Sequence, residues 1–220
     1  MKEKPSLLII GNSNVGKTSI TRLLMPNPRK FKGKAGKSPG STLLIKPVSQ
    51  PNLSYQVIDL PGFGYMKHSS HRRQEHIKKQ IVIHIEKHHN DYFFGLVVNN
   101  ILRIEDEVEK YFIQNKKSIP LSFELINFLK EFQIPLLVLI NKIDKVSIID
   151  RKRIINLFLD CAKNYNLKIV PLLEYNDNDE SEIPYLEFSA LKKTNLDELK
   201  KIIKASFIKI KLRRGNQKLN

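Results

Sequence analysis

The sequence predicts an α/β protein: a three-layer, doubly wound fold with helices on both faces of a mostly parallel six-stranded sheet that contains one antiparallel strand. Short apolar runs of strand length alternate with amphipathic segments of helical period, as is typical of this architecture. Phe93–Val98 and Leu136–Ile140 are continuously apolar, like strands buried on both faces of a parallel sheet. With 220 residues, of which 41% are hydrophobic, the chain can bury one such core.

The predicted elements follow from local patterns in chain order. Ser6–Gly11 is an apolar strand, and a glycine-rich turn separates it from the helix Lys17–Met25. Residues Pro26–Ser41 are rich in proline, glycine and lysine without an apolar period, which predicts a loop. Thr42–Val48 and Ser54–Leu60 are predicted to form an antiparallel pair. The later predicted elements are helix Arg72–His89, strand Phe93–Val98, helices Glu105–Phe112 and Ser122–Phe132, strand Leu136–Ile140, helix Arg151–Tyr165, strand Tyr185–Ser189 and helix Leu196–Ile210.

The glycine-rich turn after the first strand has the pattern G-x-x-x-x-G-K-T, in the letters GNSNVGKT. Backbone N–H groups of such a turn and the dipole of the following helix create a site for phosphate. Lys17 is expected to reach the β- and γ-phosphates, and the Thr18 hydroxyl is expected to ligate magnesium. The residues predicted to bind the phosphates are Gly11, Asn12, Ser13, Asn14, Val15, Gly16, Lys17 and Thr18.

A D-x-x-G motif ends the strand that is predicted before Pro61. Asp59 is expected at the carboxyl edge of the sheet, where its carboxylate can hold magnesium through water, and the Gly62 amide can meet the γ-phosphate. Alone, this motif would favour a plain turn. The predicted residues are Asp59, Leu60, Pro61 and Gly62.

An N-K-x-D motif follows the buried strand LLVLI, at Asn141, Lys142, Ile143 and Asp144. A carboxylate can accept hydrogen bonds from N1–H and N2–H₂ of guanine, whereas adenine offers no such pair of donors. Asn141 can bond N7 and the phosphate loop, and the stem of Lys142 can lie on the base. Ser189-Ala190 can present an amide to guanine O6. Because the four motifs end strands at one rim, the sequence predicts bound GTP or GDP with Mg²⁺.

The segments GNSNVGKTS, SPGST, DLPGFGYM, NKIDK and FSALKKTNLDELKKI resemble those of TRAFAC-class GTPases, and more narrowly of the EngB (YihA) family. The segment IPLSFELINFLKEFQIPLLVLINKIDK is similar to the archaeal branch. The resemblance implies a P-loop GTPase with a single Ras-like G domain over residues 1–208 and a basic tail over 209–220.

The resemblance also assigns roles to matching residues. It implies that Lys17, Thr42 and Gly62 take part in hydrolysis, and that Mg²⁺ is held by Thr18 and Thr42 directly and by Asp59 through water. Gly40, Ser41 and Thr42 would belong to the first switch. The guanine base would be enclosed by Phe188, Ser189 and Ala190.

Some positions depart from the family pattern. Asn12 stands where an arginine is usual, and the strand ending VVNN lacks a common aspartate. Phe63 occupies the position of the glutamine that orients water in Ras-type enzymes. We expect a slow GTPase whose water is placed by backbone, by another residue or by a partner; the alternative is a protein that only binds GTP. Asn14 either helps to hold K⁺, as in related potassium-activated GTPases, or merely shapes the loop.

The net charge of +16 predicts a polyanionic partner. Basic clusters occur at Arg29–Lys37, His68–Lys79 and Lys209–Lys218, two of them next to the predicted switches. With the resemblance, this implies a switch in assembly of the large ribosomal subunit that contacts ribosomal RNA through phosphates. The alternative is a regulator of cell division or septation that acts through a protein partner. A P-loop ATPase is a third option, and N-K-x-D argues against it.

Composition also restricts the compartment. The single cysteine, Cys161, allows no internal disulfide, which fits a reducing cytoplasm. No apolar run approaches the roughly 18 residues of a membrane span, and the N-terminus does not match a signal peptide. We expect a cytoplasmic monomer.

Overall fold

The computed structural model describes residues 4–31, 45, 47–62, 71–110 and 119–216, without the side chains of residues 71–74, 77 and 213–216. Seven strands within these residues form one sheet in the order β2-β3-β1-β4-β5-β7-β6. Among their pairings, β2 with β3 is antiparallel and the others are parallel. The strands are β1 Ser6–Gly11, β2 Pro47–Val48, β3 Gln56–Asp59, β4 Tyr92–Asn100, β5 Leu136–Asn141, β6 Lys168–Pro171 and β7 Glu182–Phe188.

Helices cover both faces of the sheet, as the sequence predicts. They are α1 Lys17–Leu24, α2 His71–His88, α3 Ile101–Val108, α4 Leu121–Glu131, α5 Ile148–Lys163 and α6 Leu196–Asn216. Helices α1 and α6 pack in one apolar layer, while α2, α3, α4 and α5 pack in the other. The central strand β1 serves both layers, since Leu8 and Ile10 face one and Leu7 and Ile9 face the other.

The parallel register brings the carboxyl ends of five strands to one rim. Asn100 at the end of β4 pairs in register with Asn141, and Asn141 pairs with Phe188 at the end of β7. On the other side of β1, Ile9 pairs with Asp59. The segments that follow these strands therefore leave the sheet close to one another, where open α/β sheets bind their ligands.

The predicted count of six strands is wrong, because Lys168–Pro171 forms a seventh. This strand is short, lies at the edge of the sheet and pairs only with β7 in the described residues. It ends in Pro171, which lacks an N–H group and is tolerated on an edge strand but not in the middle of a sheet.

Several predicted elements also differ from the structure in their bounds or conformation. Helix α3 begins at Ile101 rather than Glu105, because the Asn100 side chain accepts a hydrogen bond from the Leu102 N–H and caps it. Helix α6 continues to Asn216, so residues 209–216 of the predicted tail are helical. Within the predicted loop Pro26–Ser41, Pro28–Lys30 forms one 3-10 turn, and residues 32–41 lie outside the description.

Two expectations about composition can be compared with the fold. The thiol of Cys161 is buried and free in α5, and burial raises its pKa, which fits a packing role. None of the helices in the described parts of the chain has the length and apolar character needed to cross a bilayer.

A core substitution tests the layer formed by α4 and α5. Phe123 is fully buried, and its ring lies 5.1 Å from that of Phe158 and 5.4 Å from that of Tyr165. We expect Phe123→Ala to lower the free energy of unfolding by about 3–5 kcal/mol, because it leaves a cavity. Urea denaturation measures this loss. Leu173→Ala is the control, since Leu173 is 97% exposed and should change stability by less than about 0.5 kcal/mol; equal losses would contradict this packing.

Candidate nucleotide-binding site

The loop Gly11–Thr18 joins β1 to α1 and is held first by its own lysine. The buried Lys17 ammonium donates hydrogen bonds to Gly11 O at 2.9 Å and to Asn12 O at 2.7 Å. Burial lowers the pKa of Lys17 to about 8, against the opposing effect of the Asp59 carboxylate. The lysine therefore closes the loop on itself at the position where phosphate is expected.

The next two carbonyls of the loop are bound by cationic side chains from neighbouring segments. Arg103 Nη1 from α3 donates to Ser13 O at 3.3 Å, and Lys142 Nζ donates to Asn14 O at 2.7 Å. Lys142 has a left-handed φ of 69°. The negative ends of these two carbonyl dipoles are therefore bound by positively charged side chains.

The fifth carbonyl is bound by the amide of Asn141, which also connects the loop to the segment after β7. Asn141 Nδ2 donates to Val15 O at 2.7 Å, and Asn141 Oδ1 accepts from the Ala190 N–H at 3.0 Å. Gly16, with φ of 106°, makes room for this side chain, because a Cβ there would lie 2.3 Å from Asn141 Nδ2. One buried amide thus fixes the relative position of two predicted binding segments.

The predicted magnesium residues Thr18 and Asp59 lie together below the loop. The Thr18 hydroxyl donates to Asp59 Oδ2 at 2.9 Å. Burial raises the pKa of Asp59, while the charge of Lys17 and hydrogen bonds from Thr18 and Thr21 oppose that rise. Asp59 Oδ1 is buried without a hydrogen-bond partner in the described residues, so an acceptor is available for a water on a divalent cation.

These donors alone do not complete a cation site. No group of three histidine, cysteine, aspartate or glutamate side chains within the described ranges could hold a metal ion. Mg²⁺ usually binds through one or two carboxylates together with substrate phosphates and water. The residues Gly40, Ser41 and Thr42 lie outside the described residues.

The second predicted motif approaches the loop closely. The Leu60 N–H donates to Ile9 O at 3.2 Å and continues β3 alongside β1, and Leu60 and Pro61 are buried. A Cβ on Gly62 would lie 2.7 Å from the Cα of Ser13. Only glycine fits this approach without displacement, which puts the start of the predicted second switch against the tip of the loop.

The predicted base-binding residues form a connected group after β5 and β7. The buried Ser189 hydroxyl donates to Asp144 Oδ1 at 2.6 Å and accepts from the Lys192 N–H at 3.0 Å. Ile143 is buried next to Asp144, and Phe188 is fully buried at the end of β7. The Ala190 amide, which we expected to meet guanine O6, is engaged by Asn141 in this structure.

Sequence reasoning missed two residues of α3. Besides Arg103, Glu107 contacts the loop, since Asn12 Nδ2 donates to Glu107 Oε1 at 2.8 Å. Burial raises the pKa of Glu107, and the hydrogen bond from Asn12 and the charge of Arg103 oppose that rise. The available signal was their position just after β4, at the rim where the four motifs were expected.

The family model described as "50S ribosome-binding GTPase" matches residues 6–142 of the chain. Curated relatives named "Probable GTP-binding protein EngB" include one from Methanococcus aeolicus, 33% identical over 147 residues, which are 67% of this chain and 61% of that protein. A second, from Pyrococcus abyssi, is 33% identical over 66% of this chain and 65% of its own length. The chain thus spans about three fifths of the length of these relatives.

Solved structures show the same fold. A crystal structure of a probable GTP-binding protein engB has a TM-score of 0.71 and 26% identity, covering 93% of this chain and 99% of that one. The crystal structure of Era in complex with MgGDPNP and nucleotides of 16S ribosomal RNA has a TM-score of 0.53 and 21% identity, covering 92% of this chain and 56% of Era.

The Asn141 side chain links Val15 to Ala190, an arrangement that we call the Asn141 brace. A pair of glycine substitutions tests it. We expect Gly16→Ala to lower the free energy of unfolding by about 1–3 kcal/mol, because the new methyl group displaces Asn141 and the φ is unfavourable for alanine. The Ala190 amide should then exchange its hydrogen faster. Gly95→Ala is the control, because its Cβ would meet only side chains, the nearest at 3.1 Å. If the Ala190 amide keeps its protection from hydrogen exchange in Gly16→Ala, the linking role inferred for the Asn141 side chain is wrong.

Proposed function

Because the chain belongs to the family of 50S ribosome-binding GTPases, we propose that it binds GTP and GDP with Mg²⁺, hydrolyses GTP slowly, and acts as a switch in assembly of the large ribosomal subunit. The observation that carries the proposal is the brace at Asn141, whose amide is bonded to both Val15 and Ala190. It joins the loop predicted to bind phosphates directly to the segment predicted to bind the base.

The guanine base would be selected by the carboxylate of Asp144. The Ser189 hydroxyl already fixes Oδ1 of this group, so the side chain is held in one orientation before the base arrives. Two acceptor oxygens suit the N1–H and N2–H₂ donors of guanine, and adenine would offer this half-buried carboxylate no such pair of donors. The aliphatic part of Lys142 would cover one face of the base while its ammonium remains on Asn14 O.

The Lys17 ammonium has three donor hydrogens, so it would keep its bonds to Gly11 O and Asn12 O and direct the third hydrogen to the β- and γ-phosphate oxygens. Thr18 and Thr42 would hold Mg²⁺ directly and Asp59 through water. Bound there, the cation supplies neutralisation of phosphate charge. The Gly62 amide would approach the γ-phosphate, since Gly62 lies against Ser13.

Hydrolysis would be slow without a partner, because Phe63 has no group that could orient water. Positioned cations and amides would still stabilise the charge that develops on the phosphoryl oxygens. A K⁺ ion at Asn14 would add to that stabilisation, and it stays a prediction. Asn14 adopts a left-handed φ of 62°, which fits a tight turn with or without a cation.

The ribosomal partner is proposed from charge. Lys200, Lys204 and Lys211 are exposed on α6, and their spacing of four and seven residues places them along one edge of the helix. Lys209 instead pairs with Asp177 at 2.6 Å. The edge could contact phosphates together with the basic segments next to the switches. Era, a protein of the same fold, has been crystallised with ribosomal RNA. The proposed role would also place this protein in the cytoplasm, where we expect it to act as a monomer.

Co-sedimentation with purified large ribosomal subunits tests the proposed role. We expect retention with a non-hydrolysable GTP analogue and not with GDP, and a retention that falls as salt is raised, because counterions are released on binding. Equal retention in both states would contradict a GTP-gated switch. No retention, with nucleotide binding intact, would favour the alternative of a division regulator with a protein partner.

Base selection is tested by Asp144→Asn. We expect GDP affinity to fall about 100-fold or more and xanthosine diphosphate affinity to rise, because the new amide can donate to the oxygen at C2 of xanthine. Titration with fluorescent nucleotides measures both. Asp160→Asn is the matched control, because Asp160 is exposed on α5 and its carboxylate pairs with nearby Lys163. Unchanged GDP affinity in Asp144→Asn would refute this pocket.

A further inference from the structure

We propose that Arg103 is a positioning residue that sets the tip of the phosphate loop and thereby favours the triphosphate over the diphosphate. The inference rests on the proposed function. Its starting point is the contact of Arg103 Nη1 with Ser13 O at 3.3 Å. No sequence motif of the site includes α3, so this role is additional to the four motifs.

The placement of Arg103 follows from the start of α3. The Asn100 side chain caps the helix by accepting from the Leu102 N–H at 3.2 Å, and buried Ile101 and Ile104 fix its rotation against the sheet. Arg103 lies between these two isoleucines in sequence and is half-buried. Its guanidinium is thus directed to the loop by a capped and packed helix rather than by a surface segment.

Charged groups of both signs lie near Arg103. The Glu107 carboxylate lies one turn further along α3 and binds Asn12 Nδ2, and the positive charge of Arg103 opposes the rise in the pKa of Glu107. Arg103 also lies near Lys142, whose pKa is lowered mainly by burial and further by the positive charge of Arg103. Two cationic side chains, those of Arg103 and Lys142, therefore donate to the consecutive carbonyls of Ser13 and Asn14.

The link to the γ-phosphate runs through Ser13. The Cα of Ser13 would be only 2.7 Å from a Cβ on Gly62, so the position of Ser13 limits how Gly62 can approach. Gly62 is the residue whose amide would meet the γ-phosphate. If Arg103 no longer holds Ser13 O, the loop tip can shift where the triphosphate differs from the diphosphate, while Lys17 and the Asn141 brace remain.

The test compares Arg103→Gln, Arg103→Lys and Arg153→Gln in the full chain. We expect Arg103→Gln to weaken a non-hydrolysable GTP analogue about tenfold, as for loss of a charged hydrogen bond, and to weaken GDP less than about threefold. The kcat should fall with little change in melting temperature. Arg103→Lys, which keeps the charge and one donor group, should give an intermediate ratio of the two affinities.

Arg153→Gln is the matched control, because Arg153 pairs with Glu105 of the same helix α3 but is exposed on α5 and does not touch the loop. It should keep the ratio of GTP-analogue to GDP affinity of the unmodified chain. A wild-type ratio in Arg103→Gln, or equal losses for both nucleotides together with a lower melting temperature, would overturn the proposal. If Arg103→Gln does not fold, a wild-type ratio in Arg103→Lys overturns it and a lowered ratio supports it.

The outcome separates this inference from the proposed function. If the unmodified chain binds no guanine nucleotide, the proposed function fails and the role of Arg103 fails with it. If the unmodified chain binds GTP and GDP but the Arg103 variants keep the same ratio, only the role of Arg103 is wrong.

Discussion

The site depends on one constraint: the carbonyl oxygens of the phosphate loop must be bound by the protein. The carbonyls of residues 11–15 each accept a hydrogen bond from a side chain, supplied by Lys17, Arg103, Lys142 and Asn141. A loop whose carbonyls were left unbound would lose those bonds and could turn negative dipoles toward the phosphates. The donors come from α1, from α3, from the last residue of β5 and from the residue that follows it, so the loop conformation depends on the packing of these elements.

The same constraint explains why several residues of the rim must be small or charged. Gly16 leaves space for the Asn141 amide, and Gly62 leaves space for Ser13. Lys17 is buried at a cost that appears in its lowered pKa, and Asp59 is buried with one oxygen unpaired in the described residues. Buried groups with incomplete partners are expected where a ligand completes them. Under the proposed function, the strain at Gly16 and the desolvation of Lys17 and Asp59 have one common explanation, the binding of a nucleotide.

Much of this arrangement could be predicted from sequence, because the four motifs end strands and the parallel topology brings strand ends together. The strands β1, β4 and β5 could be predicted because their apolar runs are continuous, as is typical of strands buried on both faces of a parallel sheet. The edge strand Lys168–Pro171 was not predicted, since four residues with one buried side chain carry little periodicity. Arg103 and Glu107 could not be assigned either: their role depends on the cap at Asn100 and on a tertiary contact, neither of which has a spacing signature.

The occupied carbonyls also have a kinetic consequence. When a loop is ordered before the ligand binds, little of the binding free energy is used to order it. The association rate of the nucleotide would then be set mainly by diffusion, and its residence time by the dissociation rate. Under those conditions the balance between the two bound forms would follow the ratio of free triphosphate to diphosphate. Helix α3, which carries Arg103, would then change the ratio of triphosphate affinity to diphosphate affinity, and with it the fraction of the protein in each bound form.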